Sequence, residues 1–138
     1  MTIKKALITG IAGQDGAFLS DLLLKRNYKV YGIIRRRDKK SLWRLEKLKI
    51  KNKIKILKVN LNTYKEVAKI IKKENFKEIY NLASSSSVAD SFKNPRKYLI
   101  NNSEVVINIL DSIRIFSNNT KFFQVSSSEM YGNNFQKK

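Results

Sequence analysis

The stretch Leu7-Ile8-Thr9-Gly10-Ile11-Ala12-Gly13-Gln14-Asp15-Gly16 decides the fold of this chain. It continues an apolar run of strand length that starts at residue 3, and its glycines recur at every third position. An amphipathic helix is predicted to begin at Ala17, with Phe18, Leu22 and Leu23 on one face. A strand, a glycine-rich turn and a helix N-terminus together form a pyrophosphate cradle, because glycine lets the backbone approach the ligand while free N–H groups face it. An ordinary strand-to-helix turn is the alternative explanation.

Apolar runs and helical periodicities then alternate along the chain. Strands are predicted over residues 3–9, 28–34, 53–59, 78–82 and 121–125. Strands separated by helices imply right-handed crossovers, so we predict an α/β fold with a Rossmann-like, doubly wound parallel sheet, truncated after about the fifth strand. Residues 1–138 are expected to form one incomplete NAD(P)-binding domain without a C-terminal substrate domain. The ligand crevice of such a sheet lies at the carboxyl ends of its strands.

Local sequence signals predict where two of the helices begin. Thr63-Tyr64-Lys65-Glu66 has the form of a capping box, which predicts a helix N-terminus there. A polar loop is predicted over residues 84–94, after which Pro95 opens a long helix. Four residues are predicted to be the buried positions of that helix: Val105, Ile109, Leu110 and Ile113.

Composition limits the possible functions. The 29 Lys and Arg residues against 11 Asp and Glu give a formal net charge of +18, but the charge is scattered and no nucleic-acid-binding motif accompanies it. We therefore expect a basic, solvated surface and no nucleic-acid partner. The chain has no cysteine and no histidine, so no metal site is predicted and catalysis must use serine, tyrosine, lysine or carboxylates. No apolar run has membrane-spanning length and no signal peptide precedes the first strand, so we expect a cytoplasmic protein without a membrane partner.

Arginines follow the second predicted strand, where a Rossmann fold meets the adenosine ribose. An acidic residue there would accept the 2′-hydroxyl of NAD, whereas the planar cations of Arg35 and Arg36 match a 2′-phosphate. NADP is therefore the predicted cofactor. A basic turn without a ligand is the alternative that the lysine-rich composition leaves open.

Polar and small residues also follow the next three predicted strands. Asn60 and Leu61 end the third strand, where a polar side chain could meet an adenine; an N-cap role for Asn60 or Asn62 is the equally weighted alternative. The residues leaving the fourth strand would let ribose and nicotinamide pass close to the backbone, unless they form only a flexible turn; they are Leu82, Ala83, Ser84 and Ser86. Ser127 and Glu129 leave the fifth strand and could supply a hydrogen-bond donor and a general base, although this segment taken alone is more often a polar loop with a surface glutamate.

Five segments spread over the whole chain carry a resemblance to a known family. They are residues 6–16, residues 30–36, Tyr80-Asn81-Leu82-Ala83, Ser91-Phe92 with Pro95, and Phe123-Gln124-Val125-Ser126-Ser127-Ser128-Glu129-Met130-Tyr131-Gly132. Together they resemble the N-terminal part of the GDP-mannose 4,6-dehydratases, a family of the extended short-chain dehydrogenase/reductase superfamily. The G-Q-D-G turn and the segment from Ser126 to Gly132 are the specific elements, because related sugar-nucleotide enzymes vary at both.

The resemblance implies a hidden redox reaction in which NADP⁺ takes a hydride from C4 of mannose and returns it to C6 after water is lost. By motif match, Glu129 would remove the C5 proton and Ser127 would contact the C4 oxygen. The pyrophosphate would be held by the turn residues Gly10, Ile11, Ala12, Gly13, Gln14, Asp15 and Gly16. Arg35 and Arg36 would hold the 2′-phosphate. The complete protein is expected to bind a GDP-sugar and to be a homo-oligomer.

The sequence also departs from the family pattern. Asn60 replaces an aspartate, Ser85 and Ser87 replace glutamine and histidine, and Val105 and Val106 occupy the usual Gly-Thr positions. No tyrosine is followed four residues later by lysine, so the superfamily's Tyr-x-x-x-Lys pair is missing and the chain alone is expected to be inactive. Three other functions stay open: a related sugar-nucleotide reductase or epimerase, a stand-alone dinucleotide-binding module, and a basic nucleic-acid binder.

Overall fold

A computed structural model of the chain describes residues 3–34 and 42–127. Within these residues the elements follow in the order β1 (Lys5–Thr9), α1 (Gln14–Lys25), β2 (Lys29–Ile34), α2 (Trp43–Lys47), β3 (Lys55–Lys58), α3 (Tyr64–Glu74), β4 (Glu78–Asn81), α4 (Val88–Lys93), α5 (Pro95–Phe116) and β5 (Lys121–Gln124). A 3₁₀ helix at Lys51–Lys53 precedes β3. In the described part of the chain, no helix is long and apolar enough to cross a membrane.

The five strands form one sheet in the order β3-β2-β1-β4-β5, and all pairs are parallel. The chain moves outward from β1 to β3, then returns to the other side of β1 with β4. The strand order therefore reverses between β1 and β4, which is where a doubly wound sheet opens its ligand crevice. The predicted fold class is confirmed.

Successive side chains of the central strands point to opposite faces of the sheet and therefore form two hydrophobic cores, one on each face. Ala6 and Ile8 of β1 pack on the face covered by α1 and α2, together with Leu45. Leu7 packs on the opposite face against residues of α3 and α5 that include Ile71 and Ile109. Both faces of a parallel strand are thus buried, which explains why β1 and β2 are apolar almost without interruption.

The first helix differs from its prediction in its start and in its buried face. It begins at Gln14 rather than Ala17, because Gly13 acts as its N-cap. Phe18 and Leu22 are 58% and 46% exposed, so the prediction that they share the buried face with Leu23 was wrong. The helix buries Gly16, Ala17, Ser20 and Leu23 instead. Small residues at a spacing of three to four let the helix lie close to the sheet.

The region after β4 also differs from its prediction. The expected loop at residues 84–94 contains α4, and the hydroxyl of Ser87 accepts the N–H of Asp90 (3.3 Å) at its N-terminus. In α5, Val105, Ile109 and Ile113 are buried as predicted, whereas Leu110 is 44% exposed. Leu110 lies one position beyond Ile109, about 100° further around the helix, and so misses the face that meets the sheet.

Candidate functional site

The glycine-rich turn connects β1 to α1 at the strand-order reversal. Gly10 has a φ of +68°, and a Cβ on it would lie 2.9 Å from the backbone nitrogen of Ala83. Glycine is therefore required there both by the backbone angle and by the close passage of the chain leaving β4. The N–H of Gly13 donates to the carbonyl oxygen of Gly10 (3.0 Å), which closes the turn and sets the direction of α1.

The other two glycines of the motif have different surroundings. A Cβ on Gly16 would lie 2.6 Å from the carbonyl oxygen of Gly10 and 2.7 Å from the Cα of Ile11, so Gly16 is needed for packing within the protein. A Cβ on Gly13 would meet only the carbonyl oxygen of Gly10, at 3.2 Å, and Gly13 is exposed. Gly13 is thus the glycine whose missing side chain leaves space for a ligand. The N–H groups in the first turn of α1 lack intrahelical acceptors, as in any α-helix, and suit an anion.

The remaining turn residues divide between core and surface. Ile11 is fully buried, and Gly32 makes room for it, since a Cβ on Gly32 would lie 2.1 Å from its Cδ1 atom. Only the backbone of Ile11 is left to meet a ligand. Gln14 and Asp15 are exposed in the first turn of α1. From α2, Arg44 donates to the carbonyl oxygen of Ala12 (3.2 Å), a contact that sequence reasoning missed.

A cleft of about 880 Å³ runs along the carboxyl ends of β1 to β4. It brings together nine of the residues predicted from the sequence: Gly10, Ala12, Gly13, Asn60, Leu61, Leu82, Ala83, Ser84 and Ser86. Ile34 at the end of β2 and Tyr98 of α5 also line it. Residues from distant parts of the sequence thus share one concave surface, as expected for a ligand crevice at the switch point.

Hydrogen bonds connect the ends of the three strands β1, β4 and β5. The hydroxyl of Thr9 accepts the N–H groups of Leu82 (3.1 Å) and Ala83 (3.0 Å), so its own proton goes to the amide oxygen of Asn81. The amide nitrogen of Asn81 then donates to the side-chain oxygen of Gln124 (2.8 Å). Thr9 and Asn81 are almost completely buried. In the sequence, this network is indicated by the polar residues Thr9 and Asn81, which end the otherwise apolar runs of β1 and β4.

The serine-rich segment after β4 is also held in place. The N–H of Ser85 donates to the side-chain oxygen of Asn102 in α5 (2.8 Å), and the amide nitrogen of Asn102 donates back to the carbonyl oxygen of Ser85 (3.3 Å). A side-chain amide that pairs with one residue through both its groups fixes that backbone more firmly than a single bond. The alternative of a merely flexible turn therefore does not describe Ser85.

The predicted capping box after β3 is replaced by a different arrangement. The carboxylate of Glu66 accepts the N–H of Asn60 (2.9 Å), whereas the N–H of Thr63 donates to the carbonyl oxygen of Asn60 (3.0 Å). The side-chain oxygen of Asn60 accepts the N–H of Asn62 (3.2 Å). Thr63, not Asn60, is the N-cap residue of α3, and its side chain makes no capping hydrogen bond. Asn60 therefore organises the turn and lines the cleft at the same time.

A second cleft, of about 1070 Å³, lies between the ends of β4 and β5 and the helices α4 and α5. Ser127 lines it, together with Gln124 and the serines that follow β4. The predicted Ser127 is thus placed beside the segment predicted to meet the nicotinamide. Arg35, Arg36 and Glu129 lie outside the described residues.

Comparisons with known proteins agree with this architecture. The profile of the family described as GDP-mannose 4,6 dehydratase matches residues 7–138. GDP-mannose 4,6 dehydratase of Drosophila melanogaster is 39% identical over 137 residues, which cover 94% of this chain and 35% of the relative. The human protein of the same name is 36% identical over 135 residues, 92% of this chain and 36% of the relative. The chain therefore spans little more than a third of the curated relatives that it matches.

Solved structures show the same fold. The UDP-Glc/GlcNAc 4-epimerase of Campylobacter jejuni superposes with a TM-score of 0.82 at 27% identity, over 94% of this chain and 39% of the other. UDP-glucose 4-epimerase of Bifidobacterium longum, solved in complex with NAD⁺ and UDP, superposes with a TM-score of 0.81 at 22% identity, over 94% and 38% of the two chains.

Proposed function

The chain belongs to the GDP-mannose 4,6 dehydratase family, and we propose that it is the N-terminal, dinucleotide-binding portion of an enzyme that converts GDP-mannose to GDP-4-keto-6-deoxymannose and water. The observation that carries this proposal is the cleft along the ends of β1 to β4, where the open side of Gly13 meets the N-terminus of α1. Residues 1–138 would form the NAD(P)-binding domain. In the complete protein, a segment that corresponds to the unmatched part of the relatives would supply the substrate domain.

We propose that the cleft holds a nicotinamide dinucleotide with its two halves in a defined direction. With the pyrophosphate at Gly13 and the first turn of α1, the adenosine half would lie toward Asn60 and Leu61, and the nicotinamide half toward Ala83. The bound cofactor would accept a hydride from the sugar and later return it. We propose NADP rather than NAD because Arg35 and Arg36 directly follow β2.

Two residues after β5 are proposed to act on the sugar. Ser127, on the wall of the second cleft, would donate a hydrogen bond to the C4 oxygen. Glu129 would remove the C5 proton as general base, by its match to the family motif. Sugar and nicotinamide would then meet where the two clefts share the serines that follow β4. Placement of the reacting carbon between these groups would supply the geometric part of catalysis.

Turnover of GDP-mannose by a longer protein that contains this chain tests the proposal. Glu129→Gln should lower kcat by about 10²–10⁴-fold, the usual contribution of a general base. Glu46→Gln, an equal change at an exposed glutamate of α2, is the control and should leave kcat unchanged. Residues 1–138 alone should not convert GDP-mannose, because they contain no Tyr-x-x-x-Lys pair. Undiminished turnover by Glu129→Gln would contradict the assignment of the base.

A sugar-nucleotide epimerase is the second candidate, favoured by the structural match to the Campylobacter jejuni enzyme. Incubation of the longer protein with GDP-mannose and with UDP-glucose separates the two, since only a dehydratase forms a 4-keto-6-deoxy sugar with loss of water. We also propose a cytoplasmic homo-oligomer.

A further inference from the structure

The turn after β3 uses most of the polar groups of Asn60. Its backbone N–H donates to Glu66 (2.9 Å), its carbonyl oxygen accepts the N–H of Thr63 (3.0 Å), and its side-chain oxygen accepts the N–H of Asn62 (3.2 Å). A backbone N–H can only donate, so the side-chain atom that faces Asn62 must be the amide oxygen. The orientation of the amide is therefore determined by the turn.

The other group of the amide, Nδ2, is therefore the donor that these hydrogen bonds leave over. Among the described residues it has no hydrogen-bond partner, and Asn60 is exposed on the lining of the cleft. A carboxylate at this position would leave over an acceptor. Asn60 leaves over an N–H donor on an exposed side chain that lines the cleft, so this end of the cleft has a donor available to a ligand.

We infer that Asn60 makes the purine end of the cleft tolerant of a 6-oxopurine, so that it binds a hypoxanthine dinucleotide about as well as an adenine dinucleotide. This inference rests on the proposed function, which places the adenosine half of the cofactor at Asn60. Adenine carries an amino donor at C6, whereas a 6-oxopurine carries a carbonyl acceptor there. An N–H donor cannot bond to the amino group but can bond to the carbonyl oxygen.

Calorimetric titration with NADP⁺ and with nicotinamide hypoxanthine dinucleotide phosphate tests the inference. For the unmodified chain the two Kd values should differ by less than about fivefold, because one exposed hydrogen bond from Nδ2 to the carbonyl oxygen only replaces a hydrogen bond to water and changes the affinity little. Asn60→Asp should favour the adenine form by about tenfold or more, since a carboxylate accepts from the amino group and repels the carbonyl oxygen. The aspartate keeps an acceptor for the N–H of Asn62, so the turn should be preserved; thermal unfolding checks this.

Asn52→Asp is the matched control. It changes the charge by the same amount in the 3₁₀ helix before β3, whereas Asn60 follows β3 at the opposite end of the strand. Its two Kd values should keep the ratio of the unmodified chain. A preference above about fivefold for adenine in the unmodified chain would overturn the inference, as would an unchanged ratio in Asn60→Asp. Failure of both dinucleotides to bind would overturn the proposed function, and this inference with it.

Discussion

At the amino ends of the strands (the amino edge), polar side chains bond to one another away from the cleft, whereas at the carboxyl ends (the carboxyl edge) hydrogen-bonded polar groups border an open cleft. The carboxylate of Glu74 accepts hydrogen bonds from the hydroxyl of Tyr31 (2.7 Å), from Lys55 (3.0 Å) and from Lys5 (3.3 Å). Glu78 likewise accepts from Tyr28 (3.0 Å) and Tyr80 (2.8 Å). On the other edge the glycine turn and the serine segment border the 880 Å³ cleft.

The ionisation of the groups at the amino edge reflects this pairing. The hydrogen bond from Tyr31, reinforced by Lys55 and Lys5, lowers the pKa of Glu74 to about 2. Burial and the hydrogen bond to Glu74 raise the pKa of Tyr31 to about 12. Polar groups that satisfy one another in this way stabilise the fold but have little capacity left for a ligand. The comparison indicates that changes at the amino edge should alter stability alone, whereas changes at the carboxyl edge should alter binding.

The largest effect is expected within the glycine turn, where one glycine serves the stability of the fold and another serves ligand binding. Gly16→Val should lower the free energy of unfolding by about 3 kcal/mol or more, because its side chain would overlap the backbone of Gly10 and Ile11. Gly13→Val should leave the helical content largely intact and weaken NADP⁺ binding by about 100-fold or more, by filling the space of the pyrophosphate. Circular dichroism and calorimetric titration of both variants measure the two effects. Equal loss of fold in the two variants would show that Gly13, too, serves packing alone.

The next effect concerns the choice of cofactor at the carboxyl edge. NADPH should bind about tenfold or more tightly than NADH, because a charge-assisted contact to the 2′-phosphate contributes roughly 1.5–3 kcal/mol. Arg35→Asp should remove or reverse the preference. Titration of both cofactors against both proteins measures it, and Arg26→Asp, at the C-terminus of α1, is the control for charge. Equal affinities in the unmodified protein would refute the assignment of NADP.

At the amino edge, Glu74→Gln should lower the free energy of unfolding by about 2 kcal/mol, since three donors lose a charged acceptor. Dinucleotide affinity should not change, because Glu74 lies at the opposite edge of the sheet from the cleft. Glu46→Gln, which breaks an exposed ion pair with Lys51, is the matched control and should cost about 0.5 kcal/mol or less. Denaturant unfolding and calorimetric titration measure both. A weakened dinucleotide affinity in Glu74→Gln would show that the amino edge also affects binding, contrary to the prediction.

The same pairing should also make the stability of the fold depend on pH. The ordinary pKa of a glutamate is 4.5, and in the folded chain that of Glu74 is about 2. The stabilisation is therefore complete above pH 4.5 and is lost progressively as the pH falls from about 4.5 toward 2. Denaturant unfolding between pH 6 and pH 2.5 should show this loss in the unmodified chain, with a shallower slope in Glu74→Gln. Identical slopes would exclude Glu74 as the titrating group.

Much of the fold could be predicted from local pattern. The structure contains the strands β1 and β2 that the near-continuous apolar runs predicted, and the helices α3 and α5 that the helical periodicity predicted. These patterns are present because both faces of a parallel sheet are buried. The errors occurred where tertiary packing decides which side of a helix is inward. Phe18 and Leu22 are exposed because the helix approaches the sheet through Gly16, Ala17 and Ser20. Hydrophobicity alone ranks those small residues below phenylalanine and leucine.

For the candidate site, the sequence by itself determined which segments carry polar or small residues at the ends of strands, and its motifs identified the family. Only the tertiary structure decided that Gly13 faces open space while Gly16 packs on the turn, and that the amide oxygen of Asn60 is used within the turn while the residue lines the cleft. It also decided that Thr9, Asn81 and Gln124 form one network. The physical reason is that spacing along the chain reports local conformation, whereas the surroundings of a glycine or the partner of an amide come from residues distant in the sequence.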